Sequence, residues 1–326
     1  MTRRSLLGAG AALAMSNTMP AGALAATVDK PAQLIVNFAP VGVMDVVARL
    51  YAEKLRDIYA PSIVVMNRPG AAGRIGIEAA KTSPRDGSVV LMSPETLMVI
   101  YPFVYPKTLR YDPERDFIPV TGLSSFGFAW VVSVDHPAQN FQQYVEWAKA
   151  QPDVDYSAPA AGSTPHFLSV LMAKSAGFRL NFISYSQGVQ AMADLFTNRI
   201  KGYMAVAGSA VQNARGGKVR VLAVTTPQRM PSLPEAPTFA ELGYPQMTAD
   251  EWYGIFLPAG TPQSVVSGLH ASIAQVSATP EMRKSLTDLE QYPVSTTPEQ
   301  FAARLRAERD RWGPIVKESG YKVEDE

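Results

Sequence analysis

Chemistry near neutral pH would start most readily from imidazole, and the chain has three histidines, His136, His166 and His270. His136 precedes a proline in a turn, and His270 lies in an amphipathic stretch. Neither has a second histidine at metal-ligand spacing, so both read as surface or internally satisfied residues. His166 follows "AAGSTP" at a loop that could face a ligand, with Ser163 and Thr164 just before it. A nucleophile–base pair is the chemistry to test there. The chain has no G-x-S-x-G elbow, and a hydroxyl two or three residues before a histidine is not thereby activated. "PGAAGRIG" (Pro69 to Gly76) invites a nucleotide reading, but its glycines at 70, 73 and 76 lack the G-x-G spacing, and no P-loop is present. It reads as a tight strand-to-helix turn. Acidic residues are scattered, with no pair marked out as acid and base. Zero cysteines exclude disulfides and thiolate metal sites. Catalytic residues, metal ligands and cofactors are therefore not expected.

What recurs is a loop running into a helix start: "APVGVMD", "PAAGSTPH" and "YSQGVQA". Such starts carry unpaired N–H groups and the positive end of the helix dipole, which favour anions such as carboxylates. That chemistry suits a receptor better than an enzyme.

The elements that must position these loops follow an α/β rhythm. "QLIVNF" reads as a buried strand. Val43, Val47, Leu50, Tyr51, Leu55 and Ile58 then share a helical face. "SIVVMN" is a second strand, "RPGAAGRIGIEAAKTSP" a turn and short helix, and "RDGSVVLMS" a turn and third strand. This βαβαβ run predicts a parallel sheet. "YPKTLRYDPERDFIPV" reads as a surface connection. A second cycle begins with strand "FAWVVSVD" and helix "NFQQYVEWAKAQ", capped by Asn140. It continues through "VDYSAP", "TPHFLSVLMAKSAG", "NFISYS", "VQAMADLFTN" and "GGKVRVLAVTT". The two cycles are separated by a connection near residues 121–127.

Prolines 227, 231, 234 and 237 stiffen the next stretch. Thr238 and Glu241 form a capping box for a short helix ended by Gly243. "WYGIFLPAGTP" is a strand and turn, and Thr261-Pro262 starts a helix. Thr297 to Gln300 caps the last one, whose inner face carries Phe301, Leu305, Trp312 and Val316. Pro314 should kink that helix or end its regular part.

With 326 residues the chain exceeds the roughly 250–300 that one core supports. A formal charge of +1 gives no electrostatic case for nucleic acid or anionic membrane. The first 25 residues stand apart: Arg3-Arg4, an apolar run from Leu6 to Met15, and an A-x-A signal at Ala23 and Ala25. They read as a secretory signal peptide of twin-arginine type, with Gly8 where a lysine often stands. The run is too short to span a bilayer, which takes about 20 residues. Cleavage would take 30 basic residues to 28 against 29 acidic ones, a formal charge of −1.

The combined motifs resemble the Bug-type solute receptors, the extracytoplasmic binding proteins of tripartite tricarboxylate transporters. The resemblance is carried by "AQLIVNFAPVGVMDVVARLYAEKL", "VVMNRPGAAGRIGIEAA", "LRYDPERDFIPV", "GGKVRVLAVTTPQRMPSLPEAPTFAELGY" and "EWYGIFLPAGTP", and it covers the mature chain. It implies a two-lobed α/β Venus-flytrap fold in the periplasm. Residues 26–126 would form one lobe and 127–248 the other, with 249–326 returning to the first as a helical C-terminus. It further implies a small organic carboxylate as ligand, membrane permease subunits as partners, no nucleic acid, and a monomer. The ligand would be held by three loops. These are Phe38, Val41, Gly42, Val43, Met44 and Asp45; then Ala160, Ala161, Gly162, Ser163, Thr164 and His166; then Tyr185, Gln187 and Gly188.

The departures from the family pattern are specific. The usual paired glycines are reduced to Gly42 beside Val41 and Val43, and Met44 replaces a hydroxyl residue. Ser186-Gln187 replaces Lys-Gly, and Gln190 a proline. Because valine rarely accepts φ > 0, Gly42 is expected to supply the left-handed turn. The site is expected to be more apolar than usual, suited to an aromatic or branched monocarboxylate. Two other readings share the scaffold: a sensor that passes ligand occupancy to a membrane signalling protein, and a periplasmic enzyme. A transcription-factor effector domain is disfavoured by the signal peptide and the missing DNA-binding domain.

Overall fold

The computed structural model describes residues 27–185 and 188–321. The expected export signal of residues 1–25, together with Ser186 and Gln187, lies outside the described residues.

The opening βαβαβ run forms as expected: β1 (Ala32–Val36), α1 (Val43–Leu55), β2 (Ile63–Asn67), α2 (Arg74–Lys81) and β3 (Val89–Pro94). β1 lies between β2 and β3, parallel to both. β3 is buried throughout, as an interior parallel strand should be. β2 leaves Val64 51% exposed, as an edge strand can. Beyond β3, a π-helical turn (Thr96–Ile100) with every residue buried runs into α3 (Tyr101–Val104). The stretch "SPETLMVIYP" carried no reading from sequence.

The segment read as a surface connection is only partly one. Tyr105 and Tyr111 are buried. A short helix, α4 (Pro113–Asp116), is capped by the Asp112 carboxylate. Phe117 then opens the ten-residue strand β4 (Phe117–Phe126). Pro119 is accommodated at an irregularity in the β4 register, where a missing N–H does least harm. The connection expected near 121–127 is thus mostly strand. The crossing itself is Gly127, followed at once by β5 (Phe128–Ser133). A methyl group on Gly127 would lie 2.5 Å from Thr226 Cγ2, so a larger residue here would have to displace the Thr226 side chain.

The second sheet is built from β5, α5 (Phe141–Lys149), β6 (Val154–Ser157), α6 (Thr164–Ala176), β7 (Leu180–Phe182), α7 (Gly188–Phe196), β8 (Gly202–Val206), α8 (Ala207–Arg215) and β9 (Val219–Val224). Its order is β7-β6-β8-β5-β9. β6 runs parallel to β7 and β8, and β5 antiparallel to β8 and β9. Both sheets are therefore mixed, not purely parallel. "NFISYS" yields only the short β7, which begins one residue earlier. Asn140 caps α5 through Gln143 N–H, as expected.

Thr238 and Glu241 make both capping-box bonds, at 2.8 and 3.1 Å, yet turns follow rather than a helix. Gly243 at φ 89° and Pro245 stop the helix before a second turn forms. The chain returns as β10 (Glu251–Pro258), between β3 and β4 and antiparallel to both. It continues through α9 (Gln263–Ala278), α10 (Pro280–Asp288), β11 (Tyr292–Pro293) and α11 (Pro298–Glu318). The first sheet then reads β11-β4-β10-β3-β1-β2. The protein is thus a two-lobed α/β molecule whose C-terminal helices return to the first lobe. Helix α11 packs on β4 and the π turn through the expected Phe301, Leu305, Trp312 and Val316. It does not end at Pro314 but runs four residues further. The lost bond falls on the carbonyl of exposed Asp310, which water can reach.

The two chain crossings are bound together. Phe128 N–H donates to Thr225 Oγ1 at 2.9 Å, and the same hydroxyl donates to Ala249 O at 2.7 Å.

Candidate ligand-binding site

The first loop leaves the carboxyl end of β1, beside β3, where the chain order in the sheet reverses. Ligands of α/β sheets collect at such places. Its left-handed residue is not the expected one. Gly42 is extended (φ −73°, ψ 164°), while Val41 stands at φ 73°. The cause is a set of bonds converging on buried Asp45. Its carboxylate accepts Val41 N–H at 3.0 Å, Arg49 Nε and Nη2 at 3.0 Å, and Asn67 Nδ2 at 2.9 Å. Asn67 also donates to Phe38 O at 3.1 Å. Burial pushes the Asp45 carboxyl up, but hydrogen bonds from Arg49, Val41 and Asn67 outweigh it and hold it below its ordinary value.

Asp45 therefore spends its oxygens shaping the loop. The Val41 side chain is 88% exposed, so its backbone strain brings no clash with the protein. Gly42 is the N-cap of α1 and provides no side-chain cap. The first-turn N–H groups of Val43, Met44 and Asp45 thus have no acceptor within the helix. Met44 buries its side chain, so only its backbone can serve a ligand. Phe38 and Val43 are half-buried.

The second loop leads from β6 into α6. Ala160 and Ala161 are half-buried, and Gly162 takes φ 68°. Ser163 is the N-cap, but its hydroxyl donates to Ala160 O at 2.6 Å instead of capping. Thr164 N–H donates to Thr96 Oγ1 at 3.2 Å, and the two hydroxyls lie 3.1 Å apart. Pro165 has no N–H to offer. His166 is buried against Phe182 (ring centroids 4.5 Å), Tyr321 (4.9 Å), Phe167 (5.4 Å) and Tyr156 (6.2 Å). Its Nδ1 has no hydrogen-bond partner, and burial lowers its pKa to about 4. It stands as a neutral ring in an aromatic nest, and the Ser163 hydroxyl is engaged elsewhere.

The third loop lies beside the second because β7 pairs with β6. The Tyr185 hydroxyl donates to Asp194 Oδ2 at 2.9 Å, and Asp194 also pairs with Arg199. Burial and the Asp194 carboxylate push the Tyr185 hydroxyl up to about 12, so it remains a donor at any physiological pH. Gly188 opens α7 on the surface, with Val189 72% exposed. The other two histidines are structural. His270 Nε2 meets Thr296 O at 3.1 Å. His136 is buried, not on the surface, and its Nδ1 accepts Ala138 N–H.

Sequence reasoning missed the residues behind the second loop. Thr96 N–H donates to Glu251 Oε1 at 3.1 Å. Glu95 and Glu251 are both buried, and Glu95 accepts Trp312 Nε1 at 2.7 Å. Glu308 accepts Trp252 Nε1 at 2.7 Å and Arg304 Nε at 2.6 Å. Burial raises Glu251 to about 7 and lifts Glu95 and Glu308 above their ordinary range. A carboxylate inside the apolar run "SPETLMVIY" was the available signal. Among the described residues, no group of three or more His, Cys, Asp or Glu is placed to hold a metal.

Comparison with known proteins gives consistent matches. A family model described as the tripartite tricarboxylate transporter family receptor matches residues 47–321. A Pseudomonas sp. (strain P51) protein, named for the tcbD-tcbE intergenic region, is 32% identical over 97% of this chain and 94% of its own length. An R. palustris protein solved with adipate superposes at a TM-score of 0.84 with 27% identity, covering 89% of this chain and 97% of that one. The periplasmic binding protein BugD gives 0.82 and 27%, covering 91% and 100%.

Proposed function

This chain belongs to the tripartite tricarboxylate transporter family of receptors, and from that premise we propose that it captures a small organic carboxylate between its lobes and presents it to membrane permease subunits. It acts in the periplasm, as a monomer, and turns nothing over. The observation that carries this reading is the start of α1, where Asp45 fixes the loop from within while the Val43, Met44 and Asp45 N–H groups stay without helical acceptors. Hydrogen bonds to a charged group are worth about 1.5–3 kcal/mol each. Three or four of them, with some apolar contact, are of the order of the ~8 kcal/mol a micromolar complex needs. The adipate in the R. palustris relative supports the carboxylate class.

Among the described residues, Val41 and Val189 are the two most exposed large hydrophobic residues, one in the first loop and one at the start of α7 after the third. They favour a ligand with an apolar body, an aromatic or branched monocarboxylate. The test is native mass spectrometry of freshly purified protein, followed by thermal shift across a carboxylate panel. A true ligand at 100-fold excess over Kd should add about 2.7 kcal/mol of stability. A preference for citrate-like polycarboxylates would overturn the apolar reading, and no response to any carboxylate would overturn the receptor reading.

A further inference from the structure

The start of α6 is docked against the first lobe by three side chains. Val104 packs on Gly162, where an added methyl group would sit 3.0 Å from Val104 Cγ1. The Tyr321 ring meets His166 edge-on and Phe167 near-perpendicularly at 5.7 Å. The third contact is polar. Thr96 Oγ1 accepts Thr164 N–H, and the two threonine hydroxyls hydrogen-bond to each other.

Thr96 is held in place for this. Its own N–H is fixed by Glu251, the first residue of β10, which pairs with Phe126 beside the Gly127 crossing. The contact is thus anchored at the hinge and spans both lobes. Both threonines are buried, and Pro165, lacking an N–H, leaves Thr164 as one of few donors in that turn.

We propose that Thr96 is a positioning residue: its hydroxyl latches the first lobe to the start of α6 and favours the arrangement in which the lobes are held together. The latch works through one oxygen. Removing it leaves the Thr164 N–H and hydroxyl facing a methyl group, and the separated lobes, where water satisfies both, become favoured.

The test needs no ligand, so its outcome is independent of whether the receptor reading holds. The chain has no cysteine, so spin labels can be placed at Glu53→Cys on α1 and Gln142→Cys on α5, both exposed. Double electron–electron resonance then reads lobe separation. Thr96→Val should shift the population toward the longer distance by roughly tenfold, the scale of one or two lost hydrogen bonds. Thr96→Ser should restore the original distribution. If Thr96→Val fails to fold, Thr164→Val removes the hydroxyl contact from the other side and should shift the population in the same direction. Three results would overturn the latch: an unchanged distribution in a folded valine variant, a serine variant as open as the valine one, or an unsubstituted protein already dominated by the longer distance.

Discussion

The carboxylate of Asp45 accepts the N–H of Val41 four residues earlier, at 3.0 Å, and so holds a β-branched residue at φ 73°. A valine there costs of order 1–3 kcal/mol. Arg49 and Asn67, which fix Asp45 from the other side, make that conformation tolerable.

Val41→Gly should relieve this strain. Part of the gain is offset by the greater freedom of glycine in the unfolded chain, so the net effect is a stabilisation of about 1 kcal/mol, read from urea midpoints. Asp45→Ala should instead cost about 2 kcal/mol, because it removes the bonds from Val41, Arg49 and Asn67 that hold the loop.

Stability should pass through a maximum between about pH 4 and about pH 7. His136 and His166 fall from 6.5 to about 4 on burial. Their contribution is complete above 6.5 and is lost as pH falls through 4. Glu251, raised from 4.5 to about 7, has the opposite sign: its contribution is complete below 4.5 and is lost as pH rises through 7. Glu95 and Glu308 act with it. Thermal midpoints from pH 4 to 9 check this. Glu251→Gln, which keeps an acceptor for Thr96 N–H, should flatten the alkaline side.

Gly127→Ala should destabilise the protein by about 2 kcal/mol, since its Cβ would meet Thr226 Cγ2 at 2.5 Å and the Thr226 side chain, bonded to Gln228 O, must give way. Thermal unfolding measures it.

Once the retained ligand is known, Val41→Ser and Val189→Ser should each weaken it roughly tenfold by calorimetry, the value of burying one valine side chain. Unchanged affinity in both serine variants would contradict the apolar reading.

Much of this was legible in the sequence where periodicity was clean. β1, α1, β2, α2 and β3 follow from alternation between apolar runs and helical faces. β4 was hidden because the prolines and charges of "YDPERDFIPV" dominate the local signal, while pairing with β10 decides the strand. β8 and α8 are built from small residues with little pattern. The three loops were located, but their internal geometry was not. The left-handed turn falls on Val41 because Asp45, held by Asn67 from a remote part of the sequence, accepts its N–H. Thr96 finds its partners 68 and 155 residues away, which no local pattern reports.

The Thr225 hydroxyl, bonded to Phe128 on the outgoing crossing and Ala249 on the returning one, makes two backbone strands into a single pin. Sliding one lobe across the other would have to break that pin, whereas swinging leaves it intact. Any swing of the lobes that preserves both bonds turns about this one fulcrum, and a segment's displacement then grows with its distance from Thr225.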